Sequence, residues 1–588
     1  MKTTSNKNNI CEKIKSKINI KWAIIIGVST ILFIILIIVI VAVATYPNGK
    51  GKGAYLSVPD PKDLQYRFGD GGGLYRDGWD DSKSAILSSM AGCDGSRKKL
   101  PEEHFANWGY GIELGDCQTN TKYGILDVIG YLSTPTKQHS SNASSNNELC
   151  YPANLYEDIW LDENTVNPNN YWANYVYKTV STYKKYIKIW ETWNEPDYTD
   201  WRKTGDWDKN PPKPEDLYHW YGSIFAYIRL LRITYEVAKK VDPNCWVATG
   251  GLGYPSFLDA IMRYTDNPED GTVTRKYPAY GGAYFDCDAY HKYPQYGTDD
   301  METGEVYNGM GSDSLAKKVV ILKKDHHYVI KKYGFGKEYP DKIFVNTETG
   351  VASTKNKDNN CGGDLERRNW ILKMAMYAIE YDVKQIHILN MVDNDGYGDF
   401  YTIGTFVSLE EAFKKIKPST KGRLALKKLN IGKFIFDQQK TKQLRDSLPE
   451  NITGIVLKRK FPKEKNETHY AGYIYSIWRY CNEKEIEGEI NYKLNLPFAP
   501  LLFDWLQNEK NISRTETIKI SSTPIFLLGN ITEENTSNGM SGFVIFLIVF
   551  GIILLVLIGG IVGLYCYKRF VKKKDIPLDK KIVYSLLH

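Results

Sequence analysis

The sequence predicts an α/β protein: a (β/α)8 TIM barrel followed by a small C-terminal β-sandwich, the two flanked by transmembrane helices. Short β-branched runs alternate with helical stretches through most of the chain, and the alternation stops near Thr441. An uncharged apolar run lies close to each end. Strand–helix alternation of this kind implies parallel strands joined by right-handed crossovers.

The apolar runs are Trp22 to Tyr46 and Ser541 to Tyr567, each longer than the roughly 20 residues that span a bilayer as a helix. Residues 1–21 and 568–588 are basic tails of net charge +5 each, which leaves −3 for everything between them out of the total of +7. By the positive-inside rule both tails are cytoplasmic and the middle is extracellular or luminal. Ala42-Val43-Ala44 resembles a signal-peptidase site, and cleavage there would leave a single span. The length of the first run favours an uncleaved signal-anchor. A mildly acidic body between basic tails excludes a nucleic-acid binder, which concentrates positive charge on its folded domain.

The middle region suits a secreted glycoprotein. It holds sequons at Asn142, Asn451, Asn466, Asn511, Asn530 and Asn535, and the tails hold none. Cys93, Cys117, Cys150, Cys245, Cys287, Cys361 and Cys481 lie in the same region, where disulfides are expected, and their odd number leaves at least one thiol over. No CxxC spacing occurs among them, so no zinc site is expected.

Candidate strands are Ile125–Tyr131, Tyr186–Trp190, Trp246–Gly250, Tyr284–Tyr290, Ile343–Thr347 and Ile386–Met391. Helical segments at Tyr171–Lys184, Asp216–Lys240, Ser314–Lys332 and Leu365–Tyr381 separate them. Extended over residues 60–440, the pattern has room for eight units. An open nucleotide-binding sheet would need a phosphate turn, and Gly69–Gly73 is not followed by GxGxxG or GKS/T. Residues 441–530 hold short strands without long helices, which predicts the sandwich. Residues 531–540 form a polar stalk before the second span.

The strongest local signal is Trp190-Glu191-Thr192-Trp193-Asn194-Glu195-Pro196-Asp197, at the carboxyl end of a predicted strand. TIM barrels carry their chemistry at that end. Ile343-Phe344-Val345-Asn346-Thr347-Glu348-Thr349-Gly350 delivers a second carboxylate to the rim. Two carboxyl groups about 5 Å apart can cleave a glycosidic bond with retention, one as proton donor and one as nucleophile. Glu195 is the donor in this scheme and Glu348 the nucleophile. A neighbouring ionised Glu348 is expected to raise the Glu195 pKa by like-charge repulsion. Asn194 is placed to hydrogen-bond a sugar 2-hydroxyl. Asp393-Asn394-Asp395-Gly396 reads as a turn, because it lacks calcium-loop spacing and a terminal Glu.

The WNEP stretch with a later strand-terminal Glu resembles clan A of the glycoside hydrolases, most of all family 39, with family 5-like enzymes as neighbours. That family holds β-xylosidases and α-L-iduronidases, and the likeness spans most of residues 60–530 at the level of pattern. It implies Glu195 as acid/base and Glu348 as nucleophile, a carbohydrate substrate, and no metal or organic cofactor. It further implies Arg97 as a support for the nucleophile, His291 as a sugar contact and Tyr293 as a hydrogen-bond donor to the nucleophile. Asn390-Met391-Val392-Asp393 departs from the Trp that many members present after strand eight. The same barrel could instead serve as a membrane-anchored carbohydrate-binding or transglycosylating protein.

Overall fold

The computed structural model describes residues 64–71, 81–142, 150–352, 361–389, 418–463 and 471–529. The apolar runs 22–46 and 541–567, the stalk, the Asn390–Gly396 stretch and the sequons at Asn466, Asn530 and Asn535 lie outside them. Among the described residues no helix is long and apolar enough to cross a membrane.

Eight strands alternate with helices in chain order. They are β1 (Arg67–Asp70), β2 (Arg97–Pro101), β3 (Val128–Ser133), β4 (Ile187–Thr192), β5 (Trp246–Ala248), β6 (Cys287–His291), β7 (Ile343–Thr349) and β8 (Val383–Ile388). The helices are α1 (Asp81–Met90), α2 (Glu102–Trp108), α3 (Leu114–Lys122), α4 (Tyr171–Tyr183), α5 (Ile224–Val241), α6 (Pro255–Arg263), α7 (Ser312–Lys332), α8 (Asp364–Glu380) and α9 (Pro418–Lys428). All neighbouring strands pair in parallel, in the order β1-β8-β7-β6-β5-β4-β3-β2. A single parallel bridge between Asp70 and Ser96 closes the ring. Ile129, Ile189, Trp246, Ala248, Cys287, Ala289, Ile343 and Val345 form one buried cluster drawn from alternate positions of β3 to β7, as the pleat requires.

The α5 helix starts at Ile224, not at Asp216 as its pattern suggests. Ser223 caps it by accepting from the Ala226 amide, while Pro211, Pro212 and Pro214 keep the preceding chain irregular. The chain between β4 and α5 is therefore a long loop above the barrel. It is tied down by Trp207, Leu217 and Trp220, all buried.

Beyond the barrel, β9 (Phe434–Phe436) is followed by α10 (Gln438–Ser447), β10 (Ile452–Arg459) and β11 (Tyr473–Arg479). Five strands complete the region: β12 (Ile490–Lys493), β13 (Leu501–Phe503), β14 (Glu509–Asn511), β15 (Thr517–Ile520) and β16 (Ile525–Gly529). They form a six-stranded sheet, β9-β10-β11-β16-β13-β14, and a two-stranded sheet, β12-β15. Val456, Ile477 and Leu527 of the first share a core with Ile518 and Ile520 of the second. Asp313 at the start of α7 joins this region to the barrel. Its carboxylate accepts from Lys373 Nζ at 2.6 Å, Tyr377 Oη at 2.9 Å, Trp478 Nε1 at 2.8 Å and the Cys481 amide at 2.7 Å.

The expected disulfides do not form among the described residues. All seven cysteines are buried, and Cys117, Cys245, Cys287 and Cys361 are members of the hydrophobic clusters. They fill space as small, mostly apolar groups.

Candidate active site

The rim above β4 is built by an unusual backbone. Trp193 and Glu195 both adopt the left-handed region, at φ 74° and 47°. Each costs an L-residue roughly 1–2 kcal/mol, so the surroundings must enforce the curl. They do so from three sides. The Trp193 amide bonds Leu132 O at 3.0 Å, its indole donates to His219 O at 2.8 Å, and the Glu195 amide bonds Gly250 O at 2.6 Å. Asp197, fully buried, accepts from the Gly253 and Tyr254 amides at 2.8 Å each and fixes the turn before α6. Burial pushes its carboxyl up to about 6, against the pull of those amides and with a further push from the Glu195 charge.

All six predicted site residues come together here. Glu195 and Glu348 each offer an oxygen, and His291 a nitrogen, that lie within 4.8 Å of one another. Tyr293 donates its hydroxyl to Glu348 Oε1, and Arg97 Nη1 stands 3.4 Å from Glu348 Oε2. Burial and the Glu348 charge drive the Tyr293 pKa far up, so the phenol remains a donor. Arg97 enters from the first position of β2, with its guanidinium 4.2 Å from the Tyr131 ring centroid. Its Nη2 donates to Asn194 Oδ1 at 2.6 Å. An arginine can only donate, so the amide oxygen of Asn194 faces it, and the Asn194 NH2 is left for other partners.

Three further residues carry the site and were not singled out from the sequence. Glu191, wholly buried in β4, takes Arg97 Nε at 2.7 Å and Nη2 at 3.2 Å. Thr347 donates its hydroxyl to Glu191 Oε1 at 2.9 Å and meets His291 Nε2 at 3.0 Å. His219, in the β4–α5 loop, stands 3.3 Å from Glu195 Oε2, while His291 Nδ1 is 2.8 Å from Glu195 Oε1. Glu191 stands two residues before the WNEP motif and Thr347 one residue before Glu348, so position alone could have flagged both. Nothing in the local sequence points to His219. Gly251 (φ 68°) is needed where it stands, because a Cβ there would lie 2.2 Å from His291 Nε2.

These contacts fix a proton. The Thr347 hydroxyl has one hydrogen and gives it to a carboxylate, so its lone pair must accept from His291 Nε2–H. The exchangeable position is Nδ1, shared with Glu195. Burial raises the Glu195 pKa, but hydrogen bonds from His219 and His291 and their charge outweigh it and hold the carboxyl well below the usual range. Burial lowers the His291 pKa, but the Glu348 charge and the Glu195 hydrogen bond outweigh that and raise it. The expectation of a raised Glu195 pKa is thus reversed: two imidazoles, not Glu348, are its nearest partners, and they favour its charged form. Glu195, His291 and Glu348 are also the ligand-type group a cation could use. Their inner atoms already face the Arg97 guanidinium and the Tyr293 and His291 donors.

No family model matches the chain, and no curated protein matches it. Among solved structures it is similar to a family 39 glycoside hydrolase from Bacteroides cellulosilyticus WH2, at 16% identity over 81% of this chain and 82% of that one, TM-score 0.48. It is similar to the family 30 subfamily 8 xylanase Xyn30A from Clostridium acetobutylicum, at 9% identity over 79% and 97%, TM-score 0.42. The GH30 xylanase C catalytic domain from Talaromyces cellulolyticus matches at 12% identity over 79% and 98%, TM-score 0.44.

Proposed function

We propose that this chain is a retaining glycoside hydrolase acting by double displacement. The observation that carries the reading is the pair of rim carboxylates, Glu195 after β4 and Glu348 in β7, with oxygens within 4.8 Å. Retaining enzymes hold theirs about 5 Å apart, whereas inverting ones leave room for a water between. Glu348, held by Tyr293 and Arg97, attacks the anomeric carbon. As its charge is consumed in the glycosyl bond, His291 loses the partner that favours its protonation. The proton then passes from His291 Nδ1 through Glu195 to the departing oxygen. Water attacks next, Glu195 takes its proton, and the restored Glu348 carboxylate draws that proton back onto His291. Asn194 Nδ2 is free to bind the sugar 2-hydroxyl, a bond that strengthens at the transition state.

The basic tails, the two apolar runs and the sequons between them support membrane anchoring, with the barrel on the extracellular or luminal side. The test is a panel of aryl β-xyloside, β-glucoside, β-galactoside, β-mannoside and α-L-iduronide. Wild type should hydrolyse at least one, and Glu348→Ala should lose it. Glu195→Ala should slow poor leaving groups more than good ones. Equal rates for both variants and wild type on every substrate would refute the assignment.

A further inference from the structure

Seven large aromatic side chains are exposed among the described residues, and four of them, Tyr198, Trp201, Tyr218 and Tyr221, stand on the loop between β4 and α5. Trp201 is 72% exposed and Tyr198 50%. The loop that displays them is firmly built. Trp207 and Trp220 are buried beneath it, the Tyr218 amide bonds Tyr198 O at 2.9 Å, and Lys203 pairs with Asp216 at 2.7 Å. Asp200 caps the short turn that carries Trp201. Rings held in water by a rigid loop mark a surface that binds something.

The acid/base tells which side of the bond this surface serves. Glu195 presents one oxygen to His291, which itself reaches to 4.0 Å from Glu348, and the other to His219. The first oxygen thus meets the histidine that neighbours the nucleophile, and the second meets the loop. His219 stacks on Tyr198 with centroids 4.2 Å apart and planes 14° from parallel, and Tyr198 meets Tyr218 at 6.5 Å. A row of rings thus runs from the loop-facing oxygen of Glu195 into solvent. In the reading above, whatever adjoins that side adjoins the leaving group, since Glu195 protonates the departing oxygen.

We infer that the β4–α5 loop is a leaving-group platform on which Tyr198, Trp201 and Tyr218 bind sugars of the chain being released, so that the substrate class is an extended glycan rather than a single sugar on a small aglycone. The proposal rests on the assignment of Glu195 and Glu348. Flat rings suit the C–H faces of pyranosides, and a rigid platform loses little entropy on binding.

The test uses the full chain and two readouts. In the first, kcat/KM is measured for xylotetraose and cellotetraose and for their 4-nitrophenyl monoglycosides, in wild type, Tyr198→Ala and Trp201→Ala. Tyr328→Ala, an exposed ring on α7, serves as the control. The tetrasaccharide-to-monoglycoside ratio should fall roughly tenfold or more in the loop variants. In the second, Glu348→Gln is titrated calorimetrically with the two tetrasaccharides, and adding Trp201→Ala should weaken binding by a similar factor. An unchanged ratio with unchanged binding overturns the platform while leaving the catalytic assignment intact. Wild-type turnover that survives Glu348→Ala overturns the catalytic assignment and the platform with it. Binding of Trp201-dependent strength to phosphatidylcholine vesicles, without binding of either glycan, assigns the rings to a membrane instead and also overturns the proposal.

Discussion

Thr347 shows how a single hydroxyl can set the chemistry of groups it does not react with. By taking the Nε2 proton of His291 it leaves Nδ1 as the exchangeable position facing Glu195. Because the folded site raises the His291 pKa, the charged imidazole persists past the ordinary value of about 6.5, and activity that needs it falls only as pH rises beyond that value. Thr347→Val removes the acceptor from the charged form and should move that alkaline limb to lower pH, with turnover of poor leaving groups down about tenfold or more. A pH–rate profile superimposable on wild type would count against the relay. Asp197 gives a second test at this scale. Its folded pKa of about 6 exceeds the unfolded value near 3.8. The native state therefore binds the proton more tightly, and the stability this group contributes is full below pH 4 and lost as pH rises through 6. Asn keeps an acceptor for both amides, so Asp197→Asn should flatten the decline between pH 4 and 7 by about 1–3 kcal/mol. Thermal melts across that range, with identical slopes in both proteins, would contradict it.

At the scale of elements, strands β3 to β8 and helices α4, α5, α7 and α8 were legible because each carries an apolar pattern of one period. Strand β2 was not. Its Arg97-Lys98-Lys99 run has no apolar alternation to mark a strand, and only the family resemblance singled out Arg97, which faces inward to Glu191 while Lys98 is claimed by Glu113 and Asp116. Paired buried charge leaves no hydrophobic trace. The β4–α5 loop was overextended into a helix because its buried Trp and Leu residues mimic helical spacing. The cysteines misled for a related reason: the compartment inferred from sequence permits disulfides, while the fold uses these side chains as packing. The tie at Asp313 was likewise invisible, since its four donors come from α8 and the C-terminal sheet region. Removing it leaves Lys373 charged, with both partners of this ion pair wholly buried. Asp313→Ala should therefore lose about 3–5 kcal/mol. Chemical denaturation should show barrel and sheet region melting together at a lower midpoint, and an unchanged midpoint would deny the tie its role.

For the whole molecule, the six site residues named from sequence meet at one rim, while His219 reaches it only because the long β4–α5 loop, residues 193–223, folds back over the barrel. Catalytic strand ends are local in sequence; what covers them is not. Topology is testable on the same footing. Asn142, Asn451 and Asn511, the sequons within the described residues, are all exposed. If the barrel faces the secretory lumen, an endoglycosidase that strips N-linked glycans should increase the gel mobility of the full chain isolated from membranes. An unshifted band would remove the support the sequons lend to that orientation.

The left-handed backbone at Trp193 and Glu195 has a consequence for how such a chain evolves. A glycine at Glu195 would relax the curl there, so this carboxylate stands where the backbone alone would choose another amino acid, whereas the buried Trp193 offsets its own curl by packing on Trp172 and Trp220. If the rim carries the proposed chemistry, a lineage freed from it would relieve backbone strain by replacing Glu195. The motif itself is therefore the place where a relative that has become a pure binder should first diverge, well before its barrel core.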